Sequence, residues 1–325
     1  MLSATTPLAH GPGRRRRGSP ESEDLPVALH TEPLAEGGFV AHRLFATLAA
    51  AFAALALALA GSAPASHASP FPHRIVSLSP TATESLFAIG AGPQVIAVDS
   101  QSDYPKEAPH TTLSAFTPNV EAIAAYKPDL VIISYDPGGV VASLEKLKIH
   151  VVMQGAASDL QQAYGQILTL GRITGRVANA KALVRAMRTR ITKIVAAAPH
   201  DPALSVYHEL EPDLYSATSN TFIGKIYKLF GLKNIADAAD KTGSGYPQLS
   251  NEYIVAANPS LIVLADTVCC GQTPQTVVAR PGWSTISAVR HHAIVRIDDS
   301  IASRWGPRIV NFVRAVASAL RVARS

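Results

Sequence analysis

The stretch VANAKALVRAMRTRITKIVAAA, residues 177–198, decides the architecture of this chain. Val177, Ala180, Leu183, Val184, Met187, Ile191, Ile194, Val195 and Ala198 recur at i, i+3 and i+4. That spacing gathers the apolar residues on one stripe of a helix and leaves the basic residues on the other face. Pro199 and Pro202 end the pattern. A helix of about 22 residues is about 33 Å long, roughly the width of a small domain. Such a helix either lies on the surface of one lobe or spans two.

What flanks it favours the span. Short β-branched runs alternate with amphipathic ones from Arg74 onward: strands at 75–78, 95–98, 130–133 and 150–153, with helices at 121–126, 140–147 and 160–174. Beyond Pro202 the alternation resumes with strands at 204–207, 261–264 and 294–297 and helices at 224–230, 252–257 and 309–323. Strands alternating with helices predict βαβ units and a mainly parallel sheet. An internal echo supports two such sheets. Residues 120–133 (VEAIAAYKPDLVII) match 251–264 (NEYIVAANPSLIVL) in Glu, in Ile two residues later, in Pro seven residues later and in the apolar strand that follows. The copies lie on opposite sides of the long helix, as expected for two equivalent lobes. The expected class is α/β, two similar lobes with mainly parallel sheets bridged by one long rigid helix. The expected divisions are 1–43 as a disordered leader, 44–68 as a signal peptide, 69–174 and 200–325 as lobes, and 175–199 as the bridge.

The ends and the composition narrow the function. Leu44–Ala60 (LFATLAAAFAALALALA) is uncharged, follows His42-Arg43 and precedes small residues ending in Ala-x-Ala. This pattern predicts a cleaved export signal, with an uncleaved membrane anchor as the alternative. No Cys follows it to carry a lipid. Residues 1–39 are rich in Gly, Pro, Arg and Glu, which suits a true translation start near Val40. Apolar residues make up 47% of the 325 and charged ones 16%, enough for sizeable cores and too apolar for a wholly disordered chain. The net charge of +5 comes from Arg172, Arg176, Lys181, Arg185, Arg188, Arg190 and Lys193, a stretch with no acidic residue. Without it the chain is within about two charges of neutral, so the basicity belongs to one helix and does not indicate nucleic acid.

Motifs for chemistry are missing. The sequence has no phosphate loop, dinucleotide fingerprint, helical zinc pair or nucleophile elbow. His291-His292 and Asp298-Asp299 read as solvated turns. The only cysteines, Cys269-Cys270, exclude a disulfide framework and read as loop or buried thiols pointing apart. His110, His150 and His208 could serve a metal only if the fold grouped them. The chain is not expected to be an enzyme and needs no cofactor; a secreted α/β hydrolase using unrecognised residues is the alternative from another class. Polar and aromatic residues instead recur at expected strand-to-helix loops: Ser79-Pro-Thr81, Ser102-Asp-Tyr-Pro105, Phe116, Tyr215-Ser216, Tyr246-Pro-Gln248 and Arg304-Trp-Gly-Pro-Arg308. Ligands of parallel α/β sheets bind outside the carboxyl ends of the strands, and aromatic walls suit a large, partly apolar molecule.

These residues carry a resemblance. From Arg74 to Leu320, through RIVSLSPTxTE (74–84), SDYP (102–105), NVEAIAAYKPDLV (119–131), PGWxxIxAV (281–289) and GPR (306–308), the chain resembles extracytoplasmic substrate-binding proteins of ABC importers, of the iron-siderophore, haem and cobalamin class. It is most similar to the cobalamin-binding member, although Gln101 stands where that member has a Tyr. The resemblance implies a monomer outside the cytoplasm, in the periplasm or at the outer face of the membrane. Its ligand would be a corrinoid or iron chelate held by Tyr104, Phe116, Tyr215, Tyr246, Arg304 and Trp305. Its partners would be an ABC permease, with its ATPase subunits, met through Glu121 and Glu252. An iron-siderophore or haem ligand is the alternative within the class.

Overall fold

The computed structural model describes residues 70–323, so the expected leader and export signal lie outside the described residues. Among the described residues no helix is long and apolar enough to cross a membrane. The elements in chain order are β1 (Ile75–Leu78), α1 (Pro80–Ala88), β2 (Val95–Val98), α2 (Val120–Ala125), β3 (Leu130–Ile133), α3 (Val140–Lys146), β4 (His150–Met153), α4 (Leu160–Ile173) and α5 (Val177–Ala196). The second half follows with β5 (Ser205–Glu209), α6 (Phe222–Lys228), β6 (Lys233–Asn234), α7 (Asn251–Ala257), β7 (Leu261–Leu264), α8 (Pro274–Val278), α9 (Ser287–Arg290), β8 (Ile294–Arg296), α10 (Asp299–Ser303) and α11 (Ile309–Ala323).

Two four-stranded sheets form, ordered β2-β1-β3-β4 and β6-β5-β7-β8, and every pairing is parallel. The order is the same in both, and the internal echo falls on equivalent elements: α2 with β3, and α7 with β7. Its repeated isoleucines, Ile123 and Ile254, are both fully buried. β1, β3 and β7 are buried along their whole length, which is why they read as unbroken apolar runs. The helices start where side-chain oxygens accept a free backbone N–H: Ser79 from Ala82, Asn119 from Ala122, Asp159 from Gln162 and Ser250 from Tyr253.

The long helix occupies 177–196, within the expected bridge. Ala180, Val184, Met187 and Ile191 are buried, and the helix packs against α4 and α11. A side chain at Gly171 would collide with Ala180, so the glycine sets the close approach of α4 to α5. One apolar core runs from Ile75, Leu86 and Ile89 through these α5 residues to Val263, Phe312 and Leu320. The helix is therefore a spine embedded along one face, with its basic face outward. The opposite face of the first sheet keeps a separate core around Val76, Leu113, Val131 and Leu144.

Candidate functional site

The carboxyl ends of the strands carry the chemistry, and the two lobes build their ends differently. In the first lobe a buried hydroxyl chain ties β1, α1 and the loop after β2. Thr83 Oγ1 lies 2.9 Å from Ser77 Oγ and 3.0 Å from Ser102 Oγ, and Ser102 donates to Asp99 Oδ1 at 2.5 Å. Burial pushes the Asp99 carboxyl above its ordinary range. The same lobe carries two exposed rings, Phe116 and Tyr135, with centroids 6.1 Å apart and planes inclined at 50°. Tyr135 escaped sequence reasoning, although it lies two residues past the end of β3, where a ligand-facing side chain belongs.

In the second lobe Tyr215 and Tyr246 project from paired segments. Tyr215 bridges Gln248, Ser216 N–H donates to Pro247 O at 3.0 Å, and Thr218 N–H to Gly245 O at 2.9 Å. Asp240 clamps the second segment by accepting from the N–H groups of Ser244 and Gly245 at 3.0 and 2.8 Å. Gly245 takes φ +81°, a conformation that favours glycine, and so lets the chain turn into Tyr246. Tyr215 is 37% exposed and Tyr246 49%.

The 304–308 segment goes elsewhere. Arg304 Nη1 donates to Glu84 Oε1 at 3.0 Å and to Asp103 Oδ1 at 2.8 Å, and its Nη2 donates to Gln101 O at 2.8 Å. Arg308 grips the same Glu84, Nε to Oε2 at 3.0 Å and Nη2 to Oε1 at 2.5 Å, and its guanidinium lies 4.3 Å above the Tyr104 ring. Trp305 Nε1 donates to Gln166 Oε1 of α4 at 2.8 Å. Of the six expected ligand residues, Arg304 and Trp305 bond across the lobes, Tyr104 lies under Arg308 and is 45% exposed, and Phe116, Tyr215 and Tyr246 are exposed in loops that follow strands. A cavity of about 470 Å³ opens on this seam beside Glu84, Phe87, Tyr104, Arg190, Arg308 and Arg314.

A second buried carboxylate site was not anticipated. Glu209, at the end of β5, receives Arg280 Nη1 and Nη2 at 2.5 and 2.6 Å. Arg280 also reaches Gln272 Oε1 at 2.9 Å and lies 4.6 Å over the Trp283 ring. Asp266, just past β7, is fully buried beside Glu209. Burial, reinforced by the Glu209 charge, raises its carboxyl to about 7. A like charge nearby disfavours the ionised form, so Asp266 keeps its proton to higher pH than a free carboxyl. The sequence signal was present: one acidic residue at the end of each central strand of the second sheet.

Other expected positions fall as follows. Glu121 and Glu252 are exposed in the first turns of the equivalent helices α2 and α7. His208 is buried, its Nδ1 2.6 Å from Tyr227 Oη, and burial lowers its pKa to about 3, so the ring is neutral. Among the described residues no three His, Cys, Asp or Glu converge as a metal site. The reading of Cys269 and Cys270 as separate thiols is corrected: the adjacent sulfurs are joined in one disulfide on an exposed loop.

The fold recurs among known proteins. The model of the periplasmic binding protein family matches residues 75–301. The chain belongs to that family. It is 32% identical to YvrC of Bacillus subtilis, an ABC transporter substrate-binding lipoprotein, over 77% of this chain and 80% of YvrC. It is also 32% identical to a cobalamin-binding protein of Halobacterium salinarum, over 76% of this chain and 69% of that protein. A possible iron-binding periplasmic solute-binding protein of Staphylococcus epidermidis superposes with a TM-score of 0.65 at 28% identity, covering 76% of this chain and 98% of the other. This periplasmic binding protein is thus a substrate-binding component of the ABC-importer class, working outside the cytoplasm, and not an enzyme.

Proposed function

We propose that the protein captures a corrinoid, cobalamin in the first place, between Phe116 and Tyr135 of one lobe and Tyr215 and Tyr246 of the other. The observation that carries this reading is the exposure of Phe116 and Tyr135 in one lobe and of Tyr215 and Tyr246 in the other, all in loops that follow strands. Aromatic faces of this kind suit a broad macrocycle better than a small ion. The likeness to a cobalamin-binding relative supports the same choice. Filled ligand would then be carried to a membrane permease, with Glu121 and Glu252 pairing to its arginines. They stand on equivalent helices of the two lobes without an ion-pair partner among the described residues, and charge-assisted pairs of this kind guide docking more than they add affinity. An iron chelate or haem is the second reading, favoured by Gln101, which removes a ring that the resemblance would place at the ligand.

Titration of the purified protein with cyanocobalamin, haemin and a ferric siderophore, followed by absorbance and tryptophan fluorescence, tests the ligand. Saturable one-to-one binding of cyanocobalamin is expected, and binding of haemin alone would replace the first reading with the second. The variant E121K/E252K is expected to bind the same ligand unchanged while uptake by cells is lost. A matching loss of affinity would end the docking role.

A further inference from the structure

The disulfide between Cys269 and Cys270 has no structural task in this fold. Cross-links stabilise chiefly by shortening the loops of the unfolded chain, and the gain grows with the residues enclosed. A bridge between neighbours encloses none. Nor is it needed to hold the loop. Val268 and Cys269 N–H groups donate to Asp299 Oδ1 and Oδ2 at 3.0 and 2.7 Å, and Thr267 Oγ1 donates to Ile297 O at 2.8 Å. With the backbone already fixed, the bond acts on what the loop presents. That surface is apolar: Val268 is 70% exposed and both cysteines are exposed.

Its position is informative. The loop leaves β7, an inner strand, at its carboxyl end, the edge on which ligands of parallel sheets are held. Its anchor Asp299 starts α10, and α10 runs into Arg304, which is bonded to Glu84 of the first lobe. The disulfide therefore sits on the rim of the second lobe next to the place where the lobes meet. The second lobe's rings, Tyr215 and Tyr246, come from other loops, and the loop after β7 carries no aromatic residue.

We infer that the Cys269–Cys270 disulfide is a ligand contact, a compact polarizable apolar face that completes the second lobe's wall, and that its reduction weakens binding. The inference rests on the corrinoid or iron-chelate reading of the cleft. Reduction by an external phosphine breaks the S–S bond. The phosphine supplies two electrons and takes up the oxygen of one water, and that water's two protons give the two thiols. The free side chains then part, and the single face is lost. Exposed disulfides are the reducible ones, so the contact is open to redox control.

The test uses the whole purified protein and the probes cyanocobalamin and haemin. Untreated protein, denatured and exposed to iodoacetamide, is expected to gain no mass, whereas alkylation of both sulfurs would overturn the inference. Protein reduced with a phosphine, capped with iodoacetamide and desalted is expected to bind the preferred probe about tenfold more weakly, the effect of losing a small apolar contact. The variant C269A/C270A is expected to show a similar loss with an unchanged unfolding midpoint. Unchanged affinity in both forms overturns the inference and leaves the ligand reading standing. Failure of the untreated protein to bind either probe overturns the ligand reading and the inference with it.

Discussion

Both lobes bury a glutamate near the carboxyl end of a strand, and they neutralise it from different directions. Glu84 in the first lobe is 2% exposed and is held by Arg304 and Arg308, both from the second lobe. Glu209 in the second lobe is fully buried and is held by Arg280 of its own lobe, with Asp266 as a second carboxyl. One ion cluster thus joins the lobes and the other stays inside one. With α5 and its shared core on one side and the Glu84 cluster at the seam, the lobes are linked twice. A protein built so is expected to change little in shape on taking ligand, compared with binding proteins that close about a free hinge.

Removing Arg280 breaks the comparison most severely. Arg280→Met leaves Glu209 and Asp266 buried with no cation, and unpairing a buried ion pair costs about 3–5 kcal/mol. Urea unfolding should show that loss, and increased hydrogen exchange should centre on β5, β7 and the 266–283 region. Wild-type stability in this variant would mean that solvent reaches Glu209 freely.

Glu84→Gln should cost less, about 2 kcal/mol, because the two arginines keep some solvent contact and only charge-assisted bonds are lost. Its effect should fall between the lobes. Hydrogen exchange is expected to rise at residues 101–105 and 304–308 while the interior of the second sheet stays protected. Loosening spread evenly through β5 and β7 would show that Glu84 supports the global fold and not the seam.

How much of this was legible follows from where the determining partner lies. β1, β3 and β7 are buried on both faces and β-branched, so local composition reveals them; α5 shows its own periodicity; the echo needs only two windows of one sequence. β6 is two residues long, and α8, α9 and α10 are single turns, too short for any period to emerge. At the candidate site, the exposure of Phe116, Tyr215 and Tyr246 was legible because each lies in a polar loop after an expected strand. The same rule collected Tyr104, Arg304 and Trp305, and their contacts with Arg308, Glu84 and Gln166 of the facing lobe were not legible, since loops at the sheet edge line the junction as well as the crevice. Glu84 and Arg304 are 220 residues apart, and no pattern within either segment announces the other. The disulfide was missed for a different reason: adjacent side chains point apart in extended chain, and the 268–271 turn, which ends on Gly271 at φ +67°, is not extended.

The remaining expected effect separates the two carboxylate sites by pH. Asp266 releases its proton at about 7 in the folded chain and near the ordinary 3.8 when unfolded. Between these values the folded protein binds one more proton than the unfolded one. Stability therefore falls as pH rises through this window and levels off above the folded value. The slope is at most about 1.4 kcal/mol per pH unit for one proton. Asp266→Asn matches the protonated acid in shape and neutrality but cannot ionise. Urea unfolding at several pH values from about 4.5 to about 8 should show the wild type losing stability relative to this variant as pH rises. Asp99, raised in the same direction, tilts both proteins equally and cancels in the difference. Parallel pH curves for the two proteins would mean that Asp266 is ionised throughout, and the pH dependence that sets the second lobe's carboxylate site apart from the seam would be lost.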